Sequence, residues 1–173
     1  AEISAYVNAT YPGIAVLVRK EFNDAAGDFA PGSVDLLHID GTHTYEAVSN
    51  DYRTWFDKLS DRGIVLFHDT NVTVQNAGEA ALKFGVRRFF DEVKGQYPHL
   101  EFEHCWGLGV LFVGKHVPAE ALELVEAAKD PGFKAFFADK GGGVSRQYEA
   151  LGIPLPQHGA YADPAAQPPG VLR

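Results

Sequence analysis

Two short polar strings hold the residues of this chain that could do chemistry: Asp40-Gly41-Thr42-His43 and His68-Asp69-Thr70-Asn71. Each follows an apolar run of strand length, residues 34–39 and 64–67. If those runs are neighbouring parallel strands, their ends lie roughly 5 Å apart, and Asp40 and Asp69 point into one small volume. Two carboxylates that close repel, and a divalent cation is the usual compensation. Mg²⁺ suits such oxygens and leaves positions for water or substrate atoms. His43 stands three residues beyond Asp40, where a neutral imidazole can take a proton from a hydroxyl. Plainer readings stand beside these. Asp40-Gly41 is also a turn sequence whose aspartate can cap a helix, and His43 is also an ordinary first-turn residue. His38, inside an apolar run, reads as a core histidine, and Arg87-Arg88 as a solvated helix face. Residues 141–143 are three glycines with no strand before them and no Lys-Ser/Thr after them, so they fail as a phosphate loop.

The elements that must position these strings follow from the apolar periodicity. Residues 2–11 suit a helix, residues 14–18 a strand, and residues 23–29 one or two helical turns. Residues 44–59 carry a continuous stripe of Tyr45, Val48, Tyr52, Trp55, Phe56 and Leu59, the mark of an amphipathic helix. Thr42 or Thr44 can cap its start, and Gly63 follows its end. Leu82, Val86, Phe89, Val93 and Tyr97 form a second stripe, stopped by Pro98. Residues 100–104 and 110–113 read as two strands joined through glycines, too closely spaced for a parallel crossover and therefore antiparallel. Pro118 opens a helix through residue 129, and two shorter helices separated by the glycines at 141–143 are expected after it. Strands alternating with helices give an α/β fold with an open, mostly parallel sheet and an antiparallel C-terminal strand pair. In such sheets ligands sit beyond the carboxyl ends of the strands, where both polar strings fall.

With 173 residues, 46 % hydrophobic and 22 % charged, the chain has the composition of a globular domain. Its net charge of −8 argues against a duplex-DNA partner, which needs a basic face. One cysteine, Cys105, forms no internal disulfide, and no apolar run reaches membrane-spanning length. With no signal-peptide pattern, a cytoplasmic location is expected. Half of the ten prolines lie in residues 153–173, which read as an irregular tail. There is no methionine, not even at position 1, so the chain is expected to start by processing or truncation.

Four strings, IDGTHTYEAV (39–48), RGIVLFHDT (62–70), GVRRFFDEV (85–93) and GLGVLFVG (107–114), together resemble class I S-adenosylmethionine-dependent methyltransferases. The likeness is to a bacterial subgroup associated with glycosyltransferases, and it runs over residues 1–115. It implies a Rossmann-like open sheet in which residues 14–18 are the third strand, 34–39 the fourth and 64–67 the fifth. The first two strands have no counterpart, nor do the glycine-rich loop and the ribose-binding acid. Residues 1–115 are then the C-terminal part of a methyltransferase-like domain, 116–152 a helical extension, and 153–173 the tail. The cofactor implied is S-adenosylmethionine, with Phe22, Asn23 and Asp40 at its binding site. Asp40 and Asp69 would hold Mg²⁺, and His43 would be the base. His68 stands where several relatives carry a second acid. The activity implied is O-methylation of a hydroxyl on a sugar or glycan precursor. Two other readings stay open: a non-catalytic interaction module without the cofactor loop, and a metal-dependent hydrolase using Asp40, His43, His68 and Asp69.

Overall fold

Apolar residues alternating along two central strands cover both faces of one sheet, and that arrangement organises the molecule. A computed structural model describes residues 2–152, so the expected tail at 153–173 lies outside the described residues. The sheet has four strands in the order β1-β2-β4-β3: β1 (Val34–Ile39), β2 (Leu59–His68), β3 (His99–Phe102) and β4 (Leu108–Phe112). β1 and β2 pair in parallel, while β4 runs antiparallel to both β2 and β3. Three strands therefore point one way and β4 the other. In strand direction this matches the expected α/β open sheet, mostly parallel with an antiparallel C-terminal pair.

Val65 and Phe67 of β2 and Leu111 of β4 face one side of the sheet. There they meet Val48 and Tyr52 of α3 (Tyr45–Trp55) and Val86, Phe89 and Phe90 of α5 (Val86–Val93). Ile64 and Leu66, one step out of phase, face the other side with Val110 and Phe112. That face is covered by Leu122 and Val125 of α6 (Ala119–Ala127). The period of two in side-chain direction is what makes one strand serve two cores. Glycine is required where the layers meet most closely: a Cβ on Gly109 would lie 2.4 Å from the Phe90 ring.

Several sequence expectations are corrected. Residues 14–18 form no strand: Ile14 and Val16 are 85 % and 84 % exposed. Among the described residues β1 pairs only with β2, and residues 14–18 leave its outer edge unpaired. β-branched residues favour strands only where a neighbour and a packing face exist. The helix expected over 44–59 stops at Trp55, and a 3₁₀ turn (Phe56–Lys58) leads straight into β2. Gly63 is consequently a buried strand residue, whose Cβ would press on the Ser60 carbonyl at 3.0 Å, rather than a helix terminator. Leu82 leaves the α5 stripe because residues 78–83 form a 3₁₀ segment, and it is exposed. The glycines at 141–143 do not divide two helices. They lie inside α7 (Pro131–Ala150), a single helix capped by the Asp130 carboxylate, which accepts from Gly132 N at 2.8 Å.

Phe67 is fully buried and touches both helices above the first sheet face through ring contacts to Tyr52, Phe89 and Phe90. Phe67→Ala is expected to cost about 3–5 kcal/mol in chemical denaturation, the range for a buried aromatic left as a cavity.

Candidate active site

The parallel register of β1 and β2 sets the site. Ile39 lies opposite Phe67 and His38 opposite Leu66, so the chain leaves both strands at the same level. Asp40 is the first residue beyond β1, and Asp69 the first beyond β2. The Thr44 side chain, not Asp40, caps α3 by accepting from Ala47 N at 3.2 Å. That leaves the Asp40 carboxylate to face the site. Asp69 takes a left-handed conformation, φ 63°, which is strained for a residue with a side chain. The loop between β3 and β4 holds it there: Asp69 N donates to Gly107 O at 3.0 Å, and Asn71 N donates to Trp106 O at 2.6 Å. Gly107, itself at φ 94°, must be glycine, since a Cβ would meet Asn71 N at 2.5 Å.

Four side chains converge. His43 Nε2 lies 2.9 Å from Asp69 Oδ2 and 3.4 Å from Asp40 Oδ1. His68 Nδ1 lies 2.9 Å from Asp69 Oδ1 and 3.5 Å from Asp40 Oδ1. Burial grades across the cluster: the Asp69 side chain is 0 % exposed, His43 13 % and Asp40 45 %. Burial alone would lower the His43 pKa, but hydrogen bonds and charge from Asp40 and Asp69 outweigh it and raise it to about 9. Burial would also raise the Asp69 carboxyl, and the two histidines outweigh it, holding that group below the ordinary carboxylate range. Asp40 is lowered chiefly by its His43 hydrogen bond, and His68 is raised chiefly by Asp69. One ligand atom each from Asp40, His43 and Asp69 fall within 4.8 Å of one another, so this donor set fits a divalent cation.

The other expected site residues stand at the edge of this cluster. Phe22 opens α2 (Phe22–Ala26) and packs its exposed ring over Gly41, where a Cβ would lie 2.6 Å from Phe22 Cε2. The Trp55 indole fixes this turn by donating to Phe22 O at 3.2 Å. The Asn23 Oδ1 accepts from Asn50 Nδ2 at 2.8 Å, tying α2 to α3. His38 is not a core histidine. It is exposed, because its edge strand has a bare side, and its ring meets that of His68 at 6.2 Å. Asp51 escaped the sequence reading. It is buried, its Oδ2 lies 3.3 Å from the position of a Gly41 Cβ, and burial raises its carboxyl. Its place on the buried side of α3 was the available signal, since an acid there breaks the amphipathic pattern.

The comparisons with known proteins bear on this cluster. Residues 1–70 match the family model Methyltransf_24, described as a methyltransferase domain. That span contains Phe22, Asn23, Asp40, His43 and Asp69, so the likeness to a methyltransferase includes every expected site residue. The chain is also similar to an uncharacterized protein, y4gI, of Sinorhizobium fredii (strain NBRC 101917 / NGR234), at 43 % identity over 115 residues. Those residues are 66 % of this chain but 12 % of the relative, so the chain spans about an eighth of that protein's length. No solved structure matches the chain. Among the described residues, no helix is long and apolar enough to cross a membrane.

The raised His43 pKa has a definite pH signature. A group raised from 6.5 to about 9 contributes its full stabilisation below pH 6.5 and loses it as pH rises through 9. Asp69, lowered from 3.8, contributes above that value and loses its share on acidification. In the cation-free protein the His43 ring is expected to titrate near pH 9 by NMR, and at lower pH in Asp69→Asn. His43→Gln should flatten the fall in thermal midpoint between pH 6.5 and 9.

Proposed function

We propose that this chain carries the acceptor side of an S-adenosylmethionine-dependent O-methyltransferase, acting on a hydroxyl of a sugar or glycan precursor. The observation that carries the reading is the convergence of His43 with Asp40 and Asp69 at the ends of adjacent parallel strands, inside the span similar to a methyltransferase domain. Methyl transfer to oxygen needs an aligned nucleophile and a receiver for its proton. His43 is the receiver: its imidazole lies at the lip between a buried and a half-exposed carboxylate, where an acceptor hydroxyl can approach. Asp69, locked behind it, fixes the imidazole and stabilises the positive charge gained with the proton. The exposed Phe22 ring offers an aromatic face beside the end of β1, suited to the adenine. Asp40 closes the gap between that face and the base. Asp40 and Asp69 would hold a divalent cation such as Mg²⁺. When bound, S-adenosylmethionine supplies the electrophilic methyl group and the cation lowers the acceptor's pKa.

His43 accepts a proton only after losing its own. Any change that removes negative charge from Asp40 or Asp69 therefore lowers its pKa and leaves more of it deprotonated at neutral pH.

A second reading, a metal-dependent hydrolase, is favoured by His68, whose Nδ1 joins the same two carboxylates. The two readings separate on donor dependence. Hydrolysis of phosphate or carboxylic esters without S-adenosylmethionine, abolished by chelator, would favour the second.

In the protein containing this chain, His43→Ala is expected to lower methyl transfer from radiolabelled S-adenosylmethionine by about 10²–10⁴-fold, the usual worth of a positioned base. The KM for the donor should change little. Undiminished turnover in His43→Ala would overturn the base assignment. Phe22→Ala should instead weaken donor binding in calorimetry while leaving the maximal rate nearly intact.

A further inference from the structure

The outer side of β3 is the other open edge of the sheet, far from the carboxylate cluster in strand order. Its backbone pattern follows from the ladder beside it. Phe112 N donates to Pro98 O at 3.0 Å, one step beyond the His99–Leu111 pair. Hydrogen-bonded pairs alternate along an antiparallel ladder, so Leu100 and Phe102 turn their backbone groups toward β4. β4 turns its odd-numbered residues to β2 in the same way, Val113 N donating to Gly63 O at 3.0 Å. The N–H and C=O groups of His99 and Glu101 therefore point outward, and among the described residues no strand pairs with that side. Beside them lies a groove of about 490 Å³, lined by Leu100, Val125 and Ala128 and by Lys129 and Lys134. An adjoining hollow sets Glu123 and Glu126 near the exposed Pro98.

We propose that this edge binds a second copy of the chain, β3 against β3 in antiparallel, about a two-fold axis through Leu100. The fit is reciprocal, as a two-fold contact must be. Centring on Leu100 sets His99 opposite the partner's Glu101, and Glu101 opposite the partner's His99. These are the residues whose backbone groups point outward, so both N–H groups of each copy meet a carbonyl across the axis. Side chains agree with that register. On the α5 side, each His99 imidazole stands across from a carboxylate already held by Arg87, whose Nη1 lies 2.5 Å from Glu101 Oε1. On the α6 side, Pro98 turns toward the partner's groove. Lys134 follows Phe133, which stacks on Phe102 at the far end of β3 from Glu123 and Glu126. The axis therefore brings the acidic end of one copy toward the lysine end of the other. Pairing consumes the edge on both copies and closes, so a short open strand is protected from further association.

The test is amide hydrogen exchange of the full chain by NMR, from millimolar to micromolar concentration, beside sedimentation velocity. The sedimenting mass should double as concentration rises. The His99 and Glu101 amides should be protected in the concentrated sample and exchange at least tenfold faster on dilution, while the Leu100 amide, bonded to β4, stays protected throughout. His99→Pro removes an outward N–H, so it should leave the chain monomeric with the β3–β4 ladder intact. Should that variant fail to fold, His99→Glu sets like charges across the axis and should weaken association several-fold. A chain that stays monomeric to millimolar concentration, or a dimer unaffected by either substitution, would overturn the proposal. So would concentration-dependent protection on β1 instead of β3, which assigns the contact to the opposite edge. Protection of His99 and Glu101 within the monomer would overturn it too, since a segment of the same chain then covers the edge.

Discussion

Two carboxylates beside each other at the ends of neighbouring strands are an electrostatic conflict, and the site is arranged around its resolution. The β1–β2 register brings Asp40 and Asp69 together, and the backbone offers neither a way apart. Two imidazoles answer the charge from opposite sides, each within 3.5 Å of both acids. Each partner pushes the others toward their charged forms, so the four groups titrate as a unit rather than singly. That coupling explains why the most buried member, Asp69, is also the one held lowest. Its desolvation is offset by two nearby imidazoles, whereas Asp51, buried with only an amide neighbour, moves the opposite way.

Support for the conflict comes from outside the two strands. The left-handed backbone at Asp69 is held by the β3–β4 loop, which reaches it only because β4 lies next to β2. Arg87 of α5 adds a contact to the Thr70 carbonyl at 3.4 Å while bridging Asp91 and Glu101. Antiparallel insertion of β4 between β2 and β3 is therefore more than a way to extend the sheet. It delivers a turn of three successive left-handed residues, Cys105 to Gly107, to the point where a strained aspartate needs backbone partners.

Much of this was legible from residue order. Strand β1 has the expected bounds, because an apolar run between Pro-Gly and Asp-Gly has only one length available. The convergence of Asp40, His43 and Asp69 followed from local spacing plus one assumption, that two runs pair in parallel. The rest depended on distant partners. Residues 14–18 have strand composition, yet composition cannot supply a neighbouring ladder. The side of β1 left bare made His38 a surface residue, and periodicity could not reveal which strand would be the edge. The side chain of Asn23 is engaged by Asn50, 27 residues away, a partner that local spacing could not name.

The glycine triplet inside α7 has a consequence for how the molecule assembles. Each helical glycine forfeits about 1 kcal/mol relative to alanine, so this stretch gains little from intrinsic propensity. Its helical state depends instead on contacts such as Phe133 and Phe137 against Phe102 of β3, and the close passage of Gly141 beside His104. An element tied to the sheet edge by so few contacts is expected to open at lower free energy than the central strands, so its amides should exchange with solvent while theirs stay protected.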